Sequence, residues 1–279
     1  MVRLEANRPT VRTDEGQELL CHLAGKVRLA VGRIRVGDRV ECRLTDPGQG
    51  VVLAVETRGL TLERPPVANV GGLVVVFTLA EPAGSFELLD RRLILAELYG
   101  LKALLLAHKA DRVASEERAR LDPWARVYPL IWTSVKSGEG MAEVPRRLGA
   151  GIHVLTGESG AGKSSLLAAL VGSAGLATGV LTRGQRGRQT TRTVSLHPFG
   201  EGYLSDTPGF SRLHLPPMTA EELGWGFPEF RDLRCRFRDC LHREEPGCAL
   251  PAARDAGVVS PIRYRHYRVF LEEAVPGRP

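Results

Sequence analysis

Short apolar runs separated by turn residues make up the first quarter of the chain. The runs lie at residues 19–23, 36–44, 51–55 and 60–64, with turn sequences at 37–38 and 46–48. This pattern predicts strands and no convincing helix, and closely spaced short strands are typical of a small barrel such as the OB-fold. Arg33 and Arg35 alternate with apolar residues, which predicts one basic strand face. A solvated face and a nucleic-acid-binding face fit that pattern equally well.

From residue 67 the pattern changes to strands that alternate with helices. Apolar runs predict strands at 70–79, 102–107, 127–133, 152–155 and 202–205. Helical spacing predicts helices at 88–99, 115–124 and 165–171. Strand–helix alternation is typical of a doubly wound α/β domain. The regular pattern fades after about residue 211.

A proline pair lies at each change of pattern, at 65–66 and 216–217. We therefore predict a multidomain α/β protein with three domains. These are an OB-fold RNA-binding domain at 1–66, an α/β nucleotide-binding domain at 67–215 and a small C-terminal domain at 216–279.

The composition is that of a folded, soluble protein, with 43% apolar and 25% charged residues. No apolar stretch reaches the roughly 18 residues that a membrane span needs, and no secretory signal is evident. We therefore expect a cytoplasmic protein with no membrane partner. The net charge of +6 is compatible with nucleic acid but does not establish it.

The strongest chemical signal is a phosphate-binding loop that matches G-x-x-x-x-G-K-[ST] between a predicted strand and a predicted helix. Glycines there let backbone N–H groups line an anion site, Lys163 reaches the β- and γ-phosphates, and the Ser164 hydroxyl binds Mg²⁺. The residues expected to bind nucleotide are Gly157, Glu158, Ser159, Gly160, Ala161, Gly162, Lys163, Ser164 and Ser165.

Two further segments resemble the loops with which GTPases recognise guanine. His108-Lys109-Ala110-Asp111 follows a predicted strand and resembles N-K-x-D, whose Asp accepts hydrogen bonds from guanine N1–H and the 2-amino group. Adenine lacks that pair of donors. Thr133-Ser134-Val135-Lys136 follows the next strand and resembles the S-A-K loop, whose backbone N–H binds guanine O6. Either match alone fits an ordinary polar strand end, but the pair favours guanine.

A third set of residues resembles the switch segments of GTPases. Asp206-Thr207-Pro208-Gly209 matches D-x-x-G, so we expect Asp206 to hold Mg²⁺ through water and the Gly209 N–H to contact the γ-phosphate. The basic loop at 183–192 carries Thr190 and Thr191, one of which is expected to be a further Mg²⁺ ligand, with Thr191 named as the candidate. Gln189 is a candidate to orient the attacking water. A mobile basic loop is a compatible interpretation of this segment.

Three of the five cysteines cluster near the C-terminus with one histidine. Cys235, Cys240, His242 and Cys248 suit tetrahedral structural Zn²⁺ with no open position. Metal binding would supply much of the folding free energy of so short a segment. The basic and aromatic residues of 263–268 fit either an RNA contact or an amphipathic helix, and Cys21 and Cys42 are interpreted as buried strand residues.

The order of the motifs is permuted relative to Ras-like GTPases, because the base-recognition loops precede the phosphate loop and D-T-P-G. With the preceding barrel and the following Cys/His cluster, the chain resembles the RsgA (YjeQ) family of ribosome-assembly GTPases over nearly its whole length. The resemblance also rests on Leu89-Asp90-Arg91, on the D-T-P-G-F sequence at 206–210 and on residues 240–248.

That resemblance implies an OB-fold, a circularly permuted P-loop GTPase domain and a zinc domain. It implies hydrolysis of GTP to GDP during late maturation of the small (30S) ribosomal subunit, which stimulates the activity. The implied ligands are GTP or GDP, Mg²⁺ and one structural Zn²⁺, and the implied partners are the small subunit and its 16S rRNA. We further expect a monomer.

Two residues depart from the family pattern. His108 stands where the family has Asn, and Gln189 stands where it often has a His with an assigned catalytic role. Phe210 follows Gly209 where Ras-like proteins have a water-orienting Gln, which predicts slow intrinsic hydrolysis that a partner completes. An ATP-using P-loop enzyme and an RNA-binding module with a structural nucleotide are the alternative functions.

Overall fold

A computed structural model of the chain describes residues 1–5, 8–30, 33–63, 65–178, 194–206, 215–243 and 245–274. The strands in these residues are β1 (Arg3–Glu5), β2 (Arg8–Arg12), β3 (Glu18–Leu23), β4 (Val40–Asp46), β5 (Gln49–Val55), β6 (Thr61–Glu63), β7 (Pro66–Ala68), β8 (Val70–Phe77), β9 (Lys102–His108), β10 (Leu130–Thr133), β11 (Ile152–Gly157), β12 (Ser195–Phe199) and β13 (Gly202–Asp206). The α-helices are α1 (Gly25–Ala30), α2 (Phe86–Leu98), α3 (Ser115–Arg118), α4 (Asp122–Ala125), α5 (Val144–Leu148), α6 (Lys163–Thr178), α7 (Ala220–Trp225), α8 (Leu250–Asp255) and α9 (Pro261–Ala274).

The chain forms two compact units that both draw on distant segments. The first contains Met1–Val74, Met141–Thr156 and Gly162–Ser211, and the second contains Val75–Gly140, Gly157–Ala161 and Arg212–Pro279. Strands and helices alternate along the middle of the chain, as predicted, and the mixed α/β fold class is confirmed.

In the first unit, the N-terminal strands follow the order β1-β2-β3-β5-β4. Their neighbours are antiparallel except for β3 and β5, which are parallel. Leu19 and Cys21 alternate with exposed residues along β3 and pack with Val52 and Val27 in one apolar core. Cys21 is therefore buried as predicted, whereas Cys42 is half-buried.

The prediction of a basic strand face around Arg33 is wrong, because residues 33–35 do not form a strand. Of residues 33–39, only Val36 makes a bridge, because the chain turns at Asp38. The buried Asp38 carboxylate accepts the Arg35 backbone N–H at 2.8 Å and pairs with the Arg58 guanidinium at 2.7 Å. The Arg35 side chain is paired with Glu63 at 2.8 Å. The unpredicted helix α1 precedes this turn.

The rest of the first unit carries most of β11, which leads into the phosphate loop, together with β12 and β13. Strand β11 is parallel to β13, and β12 is antiparallel to β13. All six residues of β11 are buried, which agrees with a strand covered on both faces.

In the second unit, β9 is parallel to β10. Helix α2 begins after Ser85, whose hydroxyl accepts the Leu88 N–H at 3.3 Å. The helix predicted at 115–124 is broken into α3, a 3₁₀ turn at Ala119–Leu121 and α4. Helices α2, α7 and α9 share an apolar core that includes Ile94, Leu223 and Tyr267.

Residues 263–268 form part of helix α9, in which Arg263 and Tyr267 are buried. Of the two interpretations of this segment, the structure therefore favours the amphipathic helix. Within the described ranges, no helix has both the length and the apolar character that a membrane span requires.

Candidate functional site

The phosphate loop has the predicted context of a buried strand, a tight loop and a helix. Strand β11 ends at Gly157 and α6 begins at Lys163. Gly157 has a φ of 152°, and a Cβ there would lie 2.3 Å from the Val76 carbonyl oxygen. Only glycine fits such a close approach of two backbone segments. Ser164 and Ser165 are exposed in the first turn of α6, so their hydroxyls are accessible.

Glu158 joins the phosphate loop to the start of α2. Its Oε1 atom accepts the Ser85 backbone N–H at 2.6 Å, and Ser85 is also the residue that caps α2. The sequence motif assigns no contact to this variable position. Sequence reasoning missed this contact of Glu158 because its partner, Ser85, is 73 residues away in the chain. The spacing of residues within a motif gives no information on such a distant partner.

The two predicted guanine loops lie together at the ends of neighbouring parallel strands. Strand β9 ends at His108 and β10 ends at Thr133, and these two residues are paired in register. The Ser134 hydroxyl donates to Asp111 Oδ1 at 2.6 Å, and this hydrogen bond lowers the pKa of Asp111. Asp111 is therefore held as an exposed carboxylate, the form that accepts hydrogen bonds from guanine.

His108, which stands where the family motif has Asn, is the last residue of β9 and is buried. It is 4% exposed, and its Nδ1 lies 3.1 Å from Thr133 Oγ1. Burial lowers the pKa of His108, so the neutral imidazole is favoured. Lys109 follows with a positive φ of 60°, and its Nζ lies 3.5 Å from the Glu81 carbonyl oxygen.

The switch residues are covered only in part. Asp206 is the last residue of β13 and is paired in register with Ser195. Gln189, Thr190, Thr191 and Gly209 lie outside the described residues, so their predicted roles remain predictions.

The Cys/His cluster has the geometry of a tetrahedral metal site. The ligand atoms of Cys235, Cys240, His242 and Cys248 lie within 4.8 Å of one another. His242 Nδ1 lies 3.6, 3.7 and 3.5 Å from the sulfur atoms of the three cysteines. Tetrahedral zinc with ordinary Zn–S and Zn–N lengths requires N···S separations of about 3.6 Å. The donor set therefore fits Zn²⁺.

Burial shifts the pKa values of the cysteine and histidine ligands in this cluster. Burial raises the pKa of the Cys240 and Cys248 thiols, so a bound cation is needed to favour their thiolates. Burial lowers the pKa of His242, which favours the neutral imidazole that ligates metals. Glu245 orders the loop because its carboxylate accepts the Leu241 and Arg243 N–H groups at 2.9 and 2.7 Å.

Helix α9 supports the cluster from the side. The Tyr264 hydroxyl donates to the His242 carbonyl at 2.8 Å, and the Tyr267 hydroxyl donates to the Leu241 carbonyl at 2.7 Å. The tyrosines of the 263–268 segment are therefore used in holding the metal loop.

Comparison with known proteins settles the relationship of the chain. Residues 55–216 match the family model described as RsgA GTPase. The chain belongs to the RsgA GTPase family. It is 43% identical over 267 residues to the small ribosomal subunit biogenesis GTPase RsgA of Moorella thermoacetica, covering 94% of this chain and 92% of that protein.

Two solved structures extend the RsgA relationship to the fold. The crystal structure of YjeQ from Thermotoga maritima matches with a TM-score of 0.84 and 36% identity, over 99% of this chain and 98% of that one. The structure of YloQ matches with a TM-score of 0.82 and 27% identity, over 100% of this chain and 95% of that one. YloQ is described as a circularly permuted GTPase.

As a member of the RsgA family, the chain is a GTPase of circularly permuted architecture. The permuted order predicted from the motifs is therefore confirmed. The ATP-using alternative is not supported by the family.

Proposed function

We propose that this chain hydrolyses GTP to GDP during late maturation of the small (30S) ribosomal subunit and that the subunit stimulates its GTPase activity. The proposal is supported by relatives named small ribosomal subunit biogenesis GTPase RsgA, which match over more than nine-tenths of the chain. The observation that carries it is the hydrogen bond between the two guanine loops, which the Ser134 hydroxyl donates to the Asp111 carboxylate.

The proposed guanine contacts follow from which groups are already bonded. The Ser134 N–H donates to the Glu139 carbonyl at 3.0 Å, so we assign the O6 contact to the N–H of Val135, a residue that is 41% exposed. Asp111 accepts from N1–H and the 2-amino group. The stem of Lys109 packs along the base, and His108 and Ala110 complete the loop.

At the phosphate end, the loop from Gly157 to Ser165 binds the phosphates through backbone N–H groups and Lys163. The first residue of this loop, Gly157, lies close to the backbone of Val76, which leaves no room for a side chain there. Ser164, Thr191 and Asp206 are the proposed ligands of Mg²⁺, which would supply positive charge to offset that of the phosphates.

For hydrolysis, we assign the orientation of the attacking water to Gln189, which precedes Thr190 in the basic loop at 183–192. Gly209 senses the γ-phosphate through its N–H. Because Phe210 supplies no polar contact to water, intrinsic hydrolysis is slow, and contact with the small subunit completes the site.

The proposal also covers the zinc site, the domain organisation and the contact with rRNA. Cys235, Cys240, His242 and Cys248 bind one structural Zn²⁺. The proposed domains are an OB-fold at 1–66, a GTPase domain at 67–215 and a zinc domain at 216–279. A cytoplasmic monomer contacts 16S rRNA through the first and last of these domains.

Single-turnover hydrolysis of GTP and of ATP tests the proposal, each without subunits and with small or large ribosomal subunits. We expect slow hydrolysis of GTP alone, acceleration by small subunits and little acceleration by large ones. Equal turnover of ATP, or fast GTP turnover that small subunits leave unchanged, would overturn it.

A further inference from the structure

Arg118, at the end of α3, lies between the two guanine loops. Its guanidinium donates to both carboxylate oxygens of Glu139, at 2.6 and 3.1 Å. The same group donates to the Ala110 carbonyl at 3.3 Å. Its Cζ also lies 4.8 Å from the centre of the Trp132 ring. One side chain thus contacts the segments that follow β9 and β10.

On the β9 side, the contact is with the backbone next to the base-recognising carboxylate. Ala110 begins the 3₁₀ turn at Ala110–Arg112, and its carbonyl belongs to the peptide that also carries the Asp111 N–H. A hydrogen bond to this carbonyl therefore fixes the peptide plane from which the Asp111 side chain projects.

On the β10 side, Glu139 closes the second loop. Its backbone carbonyl accepts the Ser134 N–H at 3.0 Å, and the Ser134 carbonyl accepts the Gly138 N–H at 2.9 Å. Gly140 then returns against β10 with a φ of 67°, where a Cβ would lie 2.0 Å from the Trp132 carbonyl oxygen. The carboxylate that Arg118 holds is thus part of a tightly closed loop.

We propose that Arg118 is a positioning residue for guanine specificity, which sets the distance between Asp111 and the Ser134–Val135 loop. The inference rests on the proposed guanine site. Arginine suits this role because its planar fork binds a carboxylate through two nitrogens and leaves a further N–H for the carbonyl. Lysine is a point charge and does not reproduce this geometry.

Affinity for GDP, IDP and ADP, measured by calorimetry with Mg²⁺, tests the proposal in Arg118→Gln, Arg118→Lys and Glu139→Gln. IDP differs from GDP only in lacking the 2-amino group, so the ratio of their affinities reports the contact between Asp111 and that group. We expect Arg118→Gln to weaken GDP binding about tenfold and IDP binding by less, because IDP keeps the N1–H contact but has no 2-amino contact to lose. Arg118→Lys should recover part of the ratio.

Arg120→Gln is the matched control, because Arg120 is exposed two residues away on the same segment. It should leave the ratio unchanged. A GDP-to-IDP ratio in Arg118→Gln equal to that of wild type would overturn the inference, and Glu139→Gln gives the same test if Arg118→Gln does not fold. If wild type itself does not prefer GDP to ADP, the proposed function fails instead.

Discussion

His108 illustrates how a single replacement is accommodated at the residue scale. The family motif has a small amide at this position, and here a larger imidazole is buried against Thr133 Oγ1 at 3.1 Å. Burial lowers its pKa, and the neighbouring Lys109 acts in the same direction. A neutral imidazole retains one donor and one acceptor, so it joins the ends of β9 and β10 without a buried charge.

The lowered pKa of His108 predicts a pH dependence of stability. Below its ordinary pKa of about 6.5, the unfolded chain binds a proton that the folded chain does not. The associated stability is therefore present above that pH and is lost as the pH falls towards the lowered folded pKa. In urea unfolding at pH 7.5 and 5.5, His108→Asn should reduce the loss of stability on acidification.

The control for that experiment is His22→Asn, because His22 is exposed on β3. His153 and His242 also have pKa values lowered by burial, so the slope should decrease rather than vanish. Equal acid sensitivity of His108→Asn and wild type would contradict the prediction.

Asp111 carries a second residue-scale prediction. Asp111→Asn replaces an acceptor-only carboxylate by an amide that faces guanine N1–H and the 2-amino group with a donor of its own. We expect GDP affinity to fall by about 100-fold or more, since two hydrogen bonds to a charged acceptor are lost. Xanthosine diphosphate, which has a carbonyl at C2, should gain affinity.

Calorimetric titration with both diphosphates measures this change. Asp255→Asn, at an exposed position on α8, serves as the control and should bind GDP as wild type does. Unchanged GDP affinity in Asp111→Asn would remove Asp111 from base recognition.

At the element scale, helix α9 connects two parts of the second unit through buried charges. The Arg263 guanidinium donates to Asp90 on α2 and to Glu229 Oε1 at 2.5 Å. Asp90 also accepts from Trp124 Nε1 at 2.7 Å and lies 2.6 Å from His266 Nδ1. Each buried charge therefore has several partners, which is the condition under which such a network is tolerated.

Removing one partner of this network should destabilise the second unit strongly. Because it leaves the other charge buried and uncompensated, we expect Arg263→Met to lower the free energy of unfolding by about 3–5 kcal/mol. Urea unfolding followed by Trp fluorescence measures the change. Arg265→Met, at an exposed position of the same helix, should change it by less than about 0.5 kcal/mol. Similar values for the two variants would show that the network does not contribute.

The elements also show which parts of the structure the sequence predicts. Strand β11 and helix α6 adjoin the phosphate-loop motif as its local requirements demand, so the prediction of these two elements is confirmed. Helix α1 lacked a recognisable signal, and the predicted strand around Arg33 failed because Asp38 organises a turn through Arg58, 20 residues away. Likewise, 173 residues separate Arg263 from Asp90, so no local pattern indicates that this arginine is buried.

At the scale of the whole molecule, the compact units do not follow the changes in sequence pattern. The C-terminal segment from Arg212 lies in the same unit as the guanine loops. It does so because α9 and α7 share a core with α2, where Ile94 packs with Phe227 and Phe270. The C-terminal segment that carries the Cys/His cluster thus packs against α2, a helix of the α/β region, although Pro216-Pro217 marks a change of sequence pattern between them.

This arrangement predicts which segments lose protection from hydrogen exchange when zinc is removed. The metal loop is bonded to α9 through Tyr264 and Tyr267, so an unfolded loop removes support from α9 and its shared core. In hydrogen exchange with and without a chelator, protection of 235–248 and of α9 should fall by about 100-fold or more, since metal binding supplies folding free energy. Strands β2, β3 and β5 of the first unit should keep their protection.

Cysteine variants make the last prediction specific to the metal ligands. Cys248→Ser should reproduce the effect of the chelator, because a serine hydroxyl does not replace a thiolate on zinc. Cys42→Ser changes a half-buried cysteine in β4 and should still respond to the chelator as wild type does. Unchanged exchange in α9 after complete removal of zinc would mean that charge pairing with Asp90 holds the helix without the metal.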